Sequence, residues 1–324
     1  MRVRGAIAIA LASVLGGWLT ITTSAQQPRF PLPLEPIGNA NEAIFAAYEG
    51  WGELQDGSGY LLVLGYKNRN RTETVEIPIG PNNKIEPGGP DYGQPTVFLP
   101  GRQTTRFAIK VPKNFGKQKL TWTIVANGQP AVVSFYLNPE YNLNFYKEVA
   151  NGNEPPKMKL SANGPMIAGP QAGITETLTG AVGQPVTLKM WASDAPPTEK
   201  NWESVISSRA RKPPTFTKDE VAIVDGRVFG APAGRGGRGE GGDSAPADIT
   251  AEWTKLRGPG KVTINPPRVP MFTKGNPQTV VEATATATFS APGEYVLRAE
   301  PLEIDDGFDG LCCFSFANVK VIVK

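Results

Sequence analysis

The chain has 324 residues with 33 basic and 30 acidic side chains and no histidine, so a Ser-His-Asp or Cys-His nucleophile, a histidine-ligated zinc and the ordinary proton shuttle near neutral pH are all excluded. The formal net charge is +3, and without Arg2 and Arg4 only 31 basic residues face 30 acidic ones, which is too even a balance for a nucleic-acid surface. Glycine (36) and proline (31) together make about a fifth of the chain, which suits a turn-rich all-β protein.

The first stretch, MRVRGAIAIALASVLGGWLTITTSAQQ, has the layout of a secretory signal. Arg2 and Arg4 form a basic start, an apolar run reaches Leu19, and Thr23-Ser24-Ala25 offers a cleavage site near Ala25. The sequence thus predicts a signal peptide over 1–25 and a protein that is secreted or periplasmic, with no membrane span in the mature chain. Residues 26–42, QQPRFPLPLEPIGNANE, read as an extended Pro-rich lead-in.

Residues 43–150 predict an N-terminal β-sandwich. YLLVLGY is apolar on both faces and predicts a central buried strand. VEIPI places Val75, Ile77 and Ile79 on one side. RFAIKV places Phe107, Ile109 and Val111 inward, with Arg106, Ala108 and Lys110 outward. LTWTIV (Leu120, Trp122, Ile124) and AVVSFYL (Val133, Phe135, Leu137) repeat the pattern. PNNKIEPGGPDYGQP, LPGRQ and ANGQP read as turns. NGNEPPK, 151–157, is the expected linker.

Residues 158–324 predict a second sandwich. It opens with MKLSA and VTLKMWASD, then breaks into an insertion at about 195–247. That insertion holds WESVISSRA, which could form a short helix, and the glycine tract GRGGRGEGG. The tract cannot recover its ordering entropy by burial and reads as flexible. Strands resume in ITAEWTKL, KVTI, ATATATFSA, EYVLRAE and NVKVIVK. In ATATATF, Ala283, Ala285 and Ala287 share one face with Phe289, and threonines occupy the other.

Trp253, the Gly258-Pro259-Gly260 turn, the Ala291-Pro292-Gly293 turn and Tyr295 together resemble the PKD-like, immunoglobulin-like domain of bacterial secreted proteins. The first half, with GYKNRNRTETVEIPIGPNN and GQPTVFLPGRQTTRFAIKVPKNFG, is similar to the front half of secreted bacterial proteins that carry such a module after it, with a Cys-Cys pair near its end. The resemblance implies export and tandem β-domains, and it assigns no catalytic residue. The expected fold is therefore all-β, two antiparallel immunoglobulin-like sandwiches in tandem, the second with a long flexible insertion.

Four places invite a chemical reading. GRGGRGEGG lacks the strand, helix and Lys-Ser/Thr of a phosphate-binding loop and reads as low complexity. Glu303, Asp305, Asp306 and Asp309 sit in EIDDGFDG on an expected inter-strand loop; they could hold calcium, or be a solvated acidic turn. Tyr48 and Trp51 in YEGW could stack on a sugar, or pack an edge, and carboxylates such as Glu49, Glu53 and Asp56 are too many for spacing alone to select a hydrolytic pair.

Cys312 and Cys313 are the only cysteines. Two thiols do not complete a structural zinc site, and the spacing is not CxxC. A vicinal disulfide, a bond to another molecule and buried thiols remain open. The first strains the backbone, because adjacent Cα atoms lie about 3.8 Å apart, below the usual range of roughly 4.4–6.8 Å.

The expected function is a non-catalytic interaction or adhesion module that needs no cofactor. Its partner would be an unknown protein or glycan. A carbohydrate-binding or carbohydrate-active protein and a structural cell-envelope spacer are the alternatives.

Overall fold

Strict apolar alternation becomes strand almost wherever it occurs. The computed structural model describes residues 38–148, 152–195, 222–224, 227–229, 249–273, 276–303 and 314–324, all within the compact unit Ile37–Lys324. The signal-like segment, WESVISSRA, the glycine tract, Asp305, Asp306, Asp309, Cys312 and Cys313 lie outside the described residues.

The first half forms β1 (Ile44–Glu53), β2 (Gly59–Asn68), β3 (Val75–Glu76), β4 (Asn83–Glu86), β5 (Val97–Phe98), β6 (Gly101–Pro112), β7 (Leu120–Ala126) and β8 (Gln129–Phe135). The antiparallel sheets β1-β2-β6 and β4-β7-β8, with the short β3-β5 pair, enclose one core. Leu62, Leu64, Phe107, Ile109, Trp122, Ile124 and Phe135 fill it. Trp122 is fully buried; its indole N–H donates to Asn83 Oδ1 at 3.0 Å, and Phe107 meets its ring edge-on at 5.1 Å. Asn83 in turn donates to the carbonyls of Ile77 and Pro95, so one amide ties three segments together.

The second half forms β9 (Lys157–Lys159), β10 (Glu176–Gly180), β11 (Val186–Ser193), β12 (Ala222–Val224), β13 (Arg227–Phe229), β14 (Ile249–Arg257), β15 (Val262–Asn265), β16 (Arg268–Met271), β17 (Val281–Phe289), β18 (Gly293–Glu303) and β19 (Ala317–Val323). Sheet β10-β19-β18-β14-β16 faces sheet β15-β17-β11-β9 across a second core. There Ala283, Ala285 and Ala287 let the sheets approach around Trp253, Phe289 and Tyr295. Tyr295 donates its hydroxyl to the Ala291 carbonyl at 2.7 Å, which pins the corner where β18 begins. Gly260 has φ +63, left-handed backbone that glycine adopts without steric cost.

The chain is all-β, and the described residues contain no α-helix. Among them no helix is long and apolar enough to cross a membrane.

Two expectations are corrected. Arg106 and Ala108, assigned to an outward face, are buried at 7% and 5% exposure because the second half of the chain covers that face. NKIE, read as turn, is β4 and pairs with β7, since Ile85 fills the first core despite its Pro/Gly-rich flanks. The same covering explains the doubly apolar β2. Leu62 and Leu64 face the first core, while Leu61 and Val63 join Phe145 and Phe316 in a third cluster.

Candidate functional site

The second sandwich has two unlike ends. At one end its strands are joined by short turns, residues 181–185, 258–261 and 290–292. Register places the ends of β11, β16 and β18 and the starts of β14, β17 and β19 together at the other. Ile249 pairs with both Glu303 and Met271, Ala192 with Val281, and Ala299 with Ala317. The stretches between β11 and β14 (194–248, which holds the β12–β13 pair), between β16 and β17 (272–280) and between β18 and β19 (304–316) therefore all depart from strand ends gathered at one end. Segments that a rigid scaffold anchors side by side are disproportionately the ones that bind. Phe272 and Val280 are exposed there, at 47% and 46%.

The two cores are locked together by a buried polar joint. In β6, three residues, Thr104, Thr105 and Arg106, oppose the single Gly65 of β2. Beside them Glu49 is an extra residue in β1. These bulges turn Thr105 to φ +49, an uncommon state for a β-branched residue. The strained peptide is held on both sides. Its N–H reaches the Glu49 carboxylate, and its carbonyl accepts from Arg298 Nη1 at 2.7 Å. Gly65 is required between them, because a Cβ there would lie 2.4 Å from both the Gln103 carbonyl and Glu49 Oε1.

Arg298 is 1% exposed, and its guanidinium lies 3.8 Å over the Phe316 ring. It donates to both carboxylate oxygens of Glu300, at 3.1 and 2.5 Å. Burial draws its pKa down to about 10 against the pull of Glu300, so it stays charged at neutral pH. Arg106 crosses the joint the other way, to Thr254 Oγ1 at 2.6 Å. Glu49 pairs with Arg102 at 2.7 and 2.8 Å, yet burial raises its pKa and outweighs that attraction. None of these arginines was singled out from the sequence; the available signal was Arg298 within the apolar run YVLRA.

At the rim of the joint, Arg257 grips both oxygens of Asp91 at 2.9 and 2.7 Å. This bond, chiefly, holds the Asp91 pKa below its ordinary value. Its folded pKa is therefore below the unfolded one, and the pair stabilises the fold above the ordinary carboxylate range and stops doing so as pH falls through the folded value. Asp91 is half exposed, so D91N should cost less than about 1 kcal/mol at pH 7. Urea unfolding of both proteins from pH 7 to 2 should show that difference shrinking to nothing; a constant difference would rule the pair out as its source.

Tyr48 and Trp51 both use their polar ends inside the chain. The Tyr48 hydroxyl donates to the Tyr136 carbonyl and the Trp51 indole to the Asn138 carbonyl, each at 2.6 Å. Burial, with Tyr136 and Tyr141 nearby, pushes the Tyr48 phenol well above its ordinary range. Tyr48 stacks on Tyr141 at 5.3 Å, and Trp51 meets Tyr60 edge-on at 5.3 Å. Both rings thus staple residues 136–142 across β1. Glu49 belongs to the joint, Glu53 pairs with Lys113, and Asp56 accepts from Ser58 N. Glu303 ends β18 rather than standing in a loop, and Asn153 donates to it at 3.0 Å. Among the described residues no cluster of three or more metal-ligating side chains occurs.

No family model matches the chain, and no curated protein matches it. Three solved structures are similar to it at low level. The D00-D0 domain of intimin is 12% identical with a TM-score of 0.24, covering 87% of this chain and 100% of its own. The D0-D1 domain of intimin is 10% identical with a TM-score of 0.23, covering 86% and 97%. Domains 4 and 5 of the S-layer protein SbsC are 10% identical with a TM-score of 0.20, covering 87% and 98%. Likenesses of this depth have no bearing on what the chain binds.

Proposed function

We propose that this protein is an exported, non-catalytic module that holds the loop-bearing end of its second sandwich towards a protein or glycan partner. The observation that supports it most is the gathering of the connections 194–248, 272–280 and 304–316 at one end of a frame that is closed by tight turns at the other. The joint adds to this: a carrier whose two cores move as one transmits position better than two beads on a string. Export rests on the signal-like residues 1–25.

The test has two parts. Intact-mass measurement of the protein recovered outside the cytoplasm should give a chain beginning near Gln26; a full-length chain kept in the cytoplasm overturns export. Photo-crosslinking on intact cells should then capture a partner with the wild type and lose most of it with F272D/V280D, at unchanged melting temperature. Equal capture by the two overturns the assignment of the loop end.

A further inference from the structure

An open cleft of about 370 Å³ lies where the β1–β2 turn meets the segments flanking β9, walled by Gln55, Tyr146, Glu154, Lys157, Met166 and Ile167. That is the small end of the range for ligand clefts, roughly 300–1,000 Å³. Its walls are fixed. The Tyr146 hydroxyl bonds the Gln55 backbone, and Phe145 meets the Tyr146 ring edge-on at 6.4 Å. A Cβ on Gly169 would come within 2.6 Å of that ring, so the backbone packs directly against it. Buried Ser315 donates to the Pro156 carbonyl at 2.5 Å and accepts from Gly169 N at 2.8 Å, tying both sides of the cleft to one hydroxyl.

The charges of the cleft are arranged by its prolines. Pro155 and Pro156 hold residues 154–156 extended, and three residues per turn bring Glu154 and Lys157 to one edge, about 9 Å apart along the chain. Burial agrees: Glu154 and Lys157 are exposed, and the two prolines between them are buried. Glu53, Lys113, Lys255, Arg257 and Asp91 all have ion-pair partners, whereas neither Glu154 nor Lys157 has one among the described residues. The Tyr146 ring, Ile167 and Met166, which is 39% exposed, line the same cleft as the two charges.

We propose that this cleft binds a dipeptide-sized zwitterion with apolar side chains, its ammonium on Glu154, its carboxylate on Lys157 and its side chains on Tyr146 and Met166. Two opposite charges without ion-pair partners among the described residues, in one cleft with an aromatic ring and apolar side chains, are complementary to that chemistry. The span agrees, because an extended dipeptide reaches about 7 Å, which two mobile side chains about 9 Å apart can bracket. A free amino acid, with one carbon between its charges, meets both only when the two side chains converge, which brings their own opposite charges together and leaves the apolar side chains less well covered.

Leucyl-leucine is the probe, and the full mature chain labelled at its methionine methyl groups is the target. The Met166 resonance is identified by its loss in Met166→Leu. It should move saturably, with a dissociation constant near 1 mM, the order of magnitude for two exposed charge contacts and a small apolar face. Glu154→Gln, Lys157→Gln, an acetylated probe and an amidated probe should each weaken binding about tenfold, with melting temperature unchanged. No saturable movement overturns the site. Equal affinity of the blocked probes overturns the charge pairing, and equal affinity of free leucine overturns the dipeptide span. The readout does not involve the loop end, so its failure leaves the proposed function standing.

Discussion

Replacing Arg298 with alanine should lower the stability of the protein by about 3–5 kcal/mol, measured by urea or thermal unfolding. The buried side chain makes five contacts: two carbonyls, Thr105 and Arg106, two carboxylate oxygens of Glu300, and the face of Phe316. Removing it leaves the Glu300 carboxylate, 12% exposed, without its cation, and leaves the strained Thr105 peptide without its donor. An unpaired buried charge is what makes such losses large; the intact pair by itself is a weak source of stability. It follows that R298K should recover only part of the loss, because an ammonium cannot serve both carboxylate oxygens and a carbonyl in one plane. R298M/E300M, which removes both charges, should recover most of it. A cost below about 1 kcal/mol for R298A would mean that the joint does not hold the two cores together.

The second large effect is expected at Trp122. W122A empties the centre of the first core and should cost about 3–5 kcal/mol. W122F is the more informative change. It keeps most of the ring against Phe107 and Phe98 but takes away the N–H that Asn83 Oδ1 accepts. A buried acceptor left unpaired costs about 1–3 kcal/mol. A double-mutant cycle of W122F with N83A, followed by denaturant midpoints, should therefore show strong coupling. Additive losses would show that the amide serves Ile77 and Pro95 alone.

Much of the strand content was legible because period-two burial is local. Trp122, Ile124, Phe107, Ile109, Ala285 and Phe289 point inward for the same reason that their neighbours point out. Tyr295 and the two Pro-Gly turns were legible too, since proline and glycine fix or free φ without help from the rest of the chain. β10 and β16 were not singled out. ETLTG and RVPM are short, half-exposed edge strands, held by β19 and β14 more than by their own residues.

The candidate sites divided along the same line. Tyr48 and Trp51 were conspicuous as aromatic residues, but only the fold shows that Tyr136 and Asn138 take up their hydrogen bonds. Glu154 and Lys157 were read as parts of a linker. Their place on one edge follows from two prolines, whereas residues 146, 166 and 167, which line the same cleft, are not brought there by a local reading.

By itself, then, the sequence determined the all-β class, the faces of the main strands and the chemistry that zero histidines forbid. Tertiary structure alone decided that Arg106 and Ala108 are buried, that Glu49 and Arg298 grip one strained peptide from opposite sides, and that the long connections share an end. The reason is physical. Strand propensity and alternation act over a few residues, whereas Arg298 meets Thr105 across 193 positions of chain. Burial of a charge such as Arg298 is settled only when both halves have folded against each other.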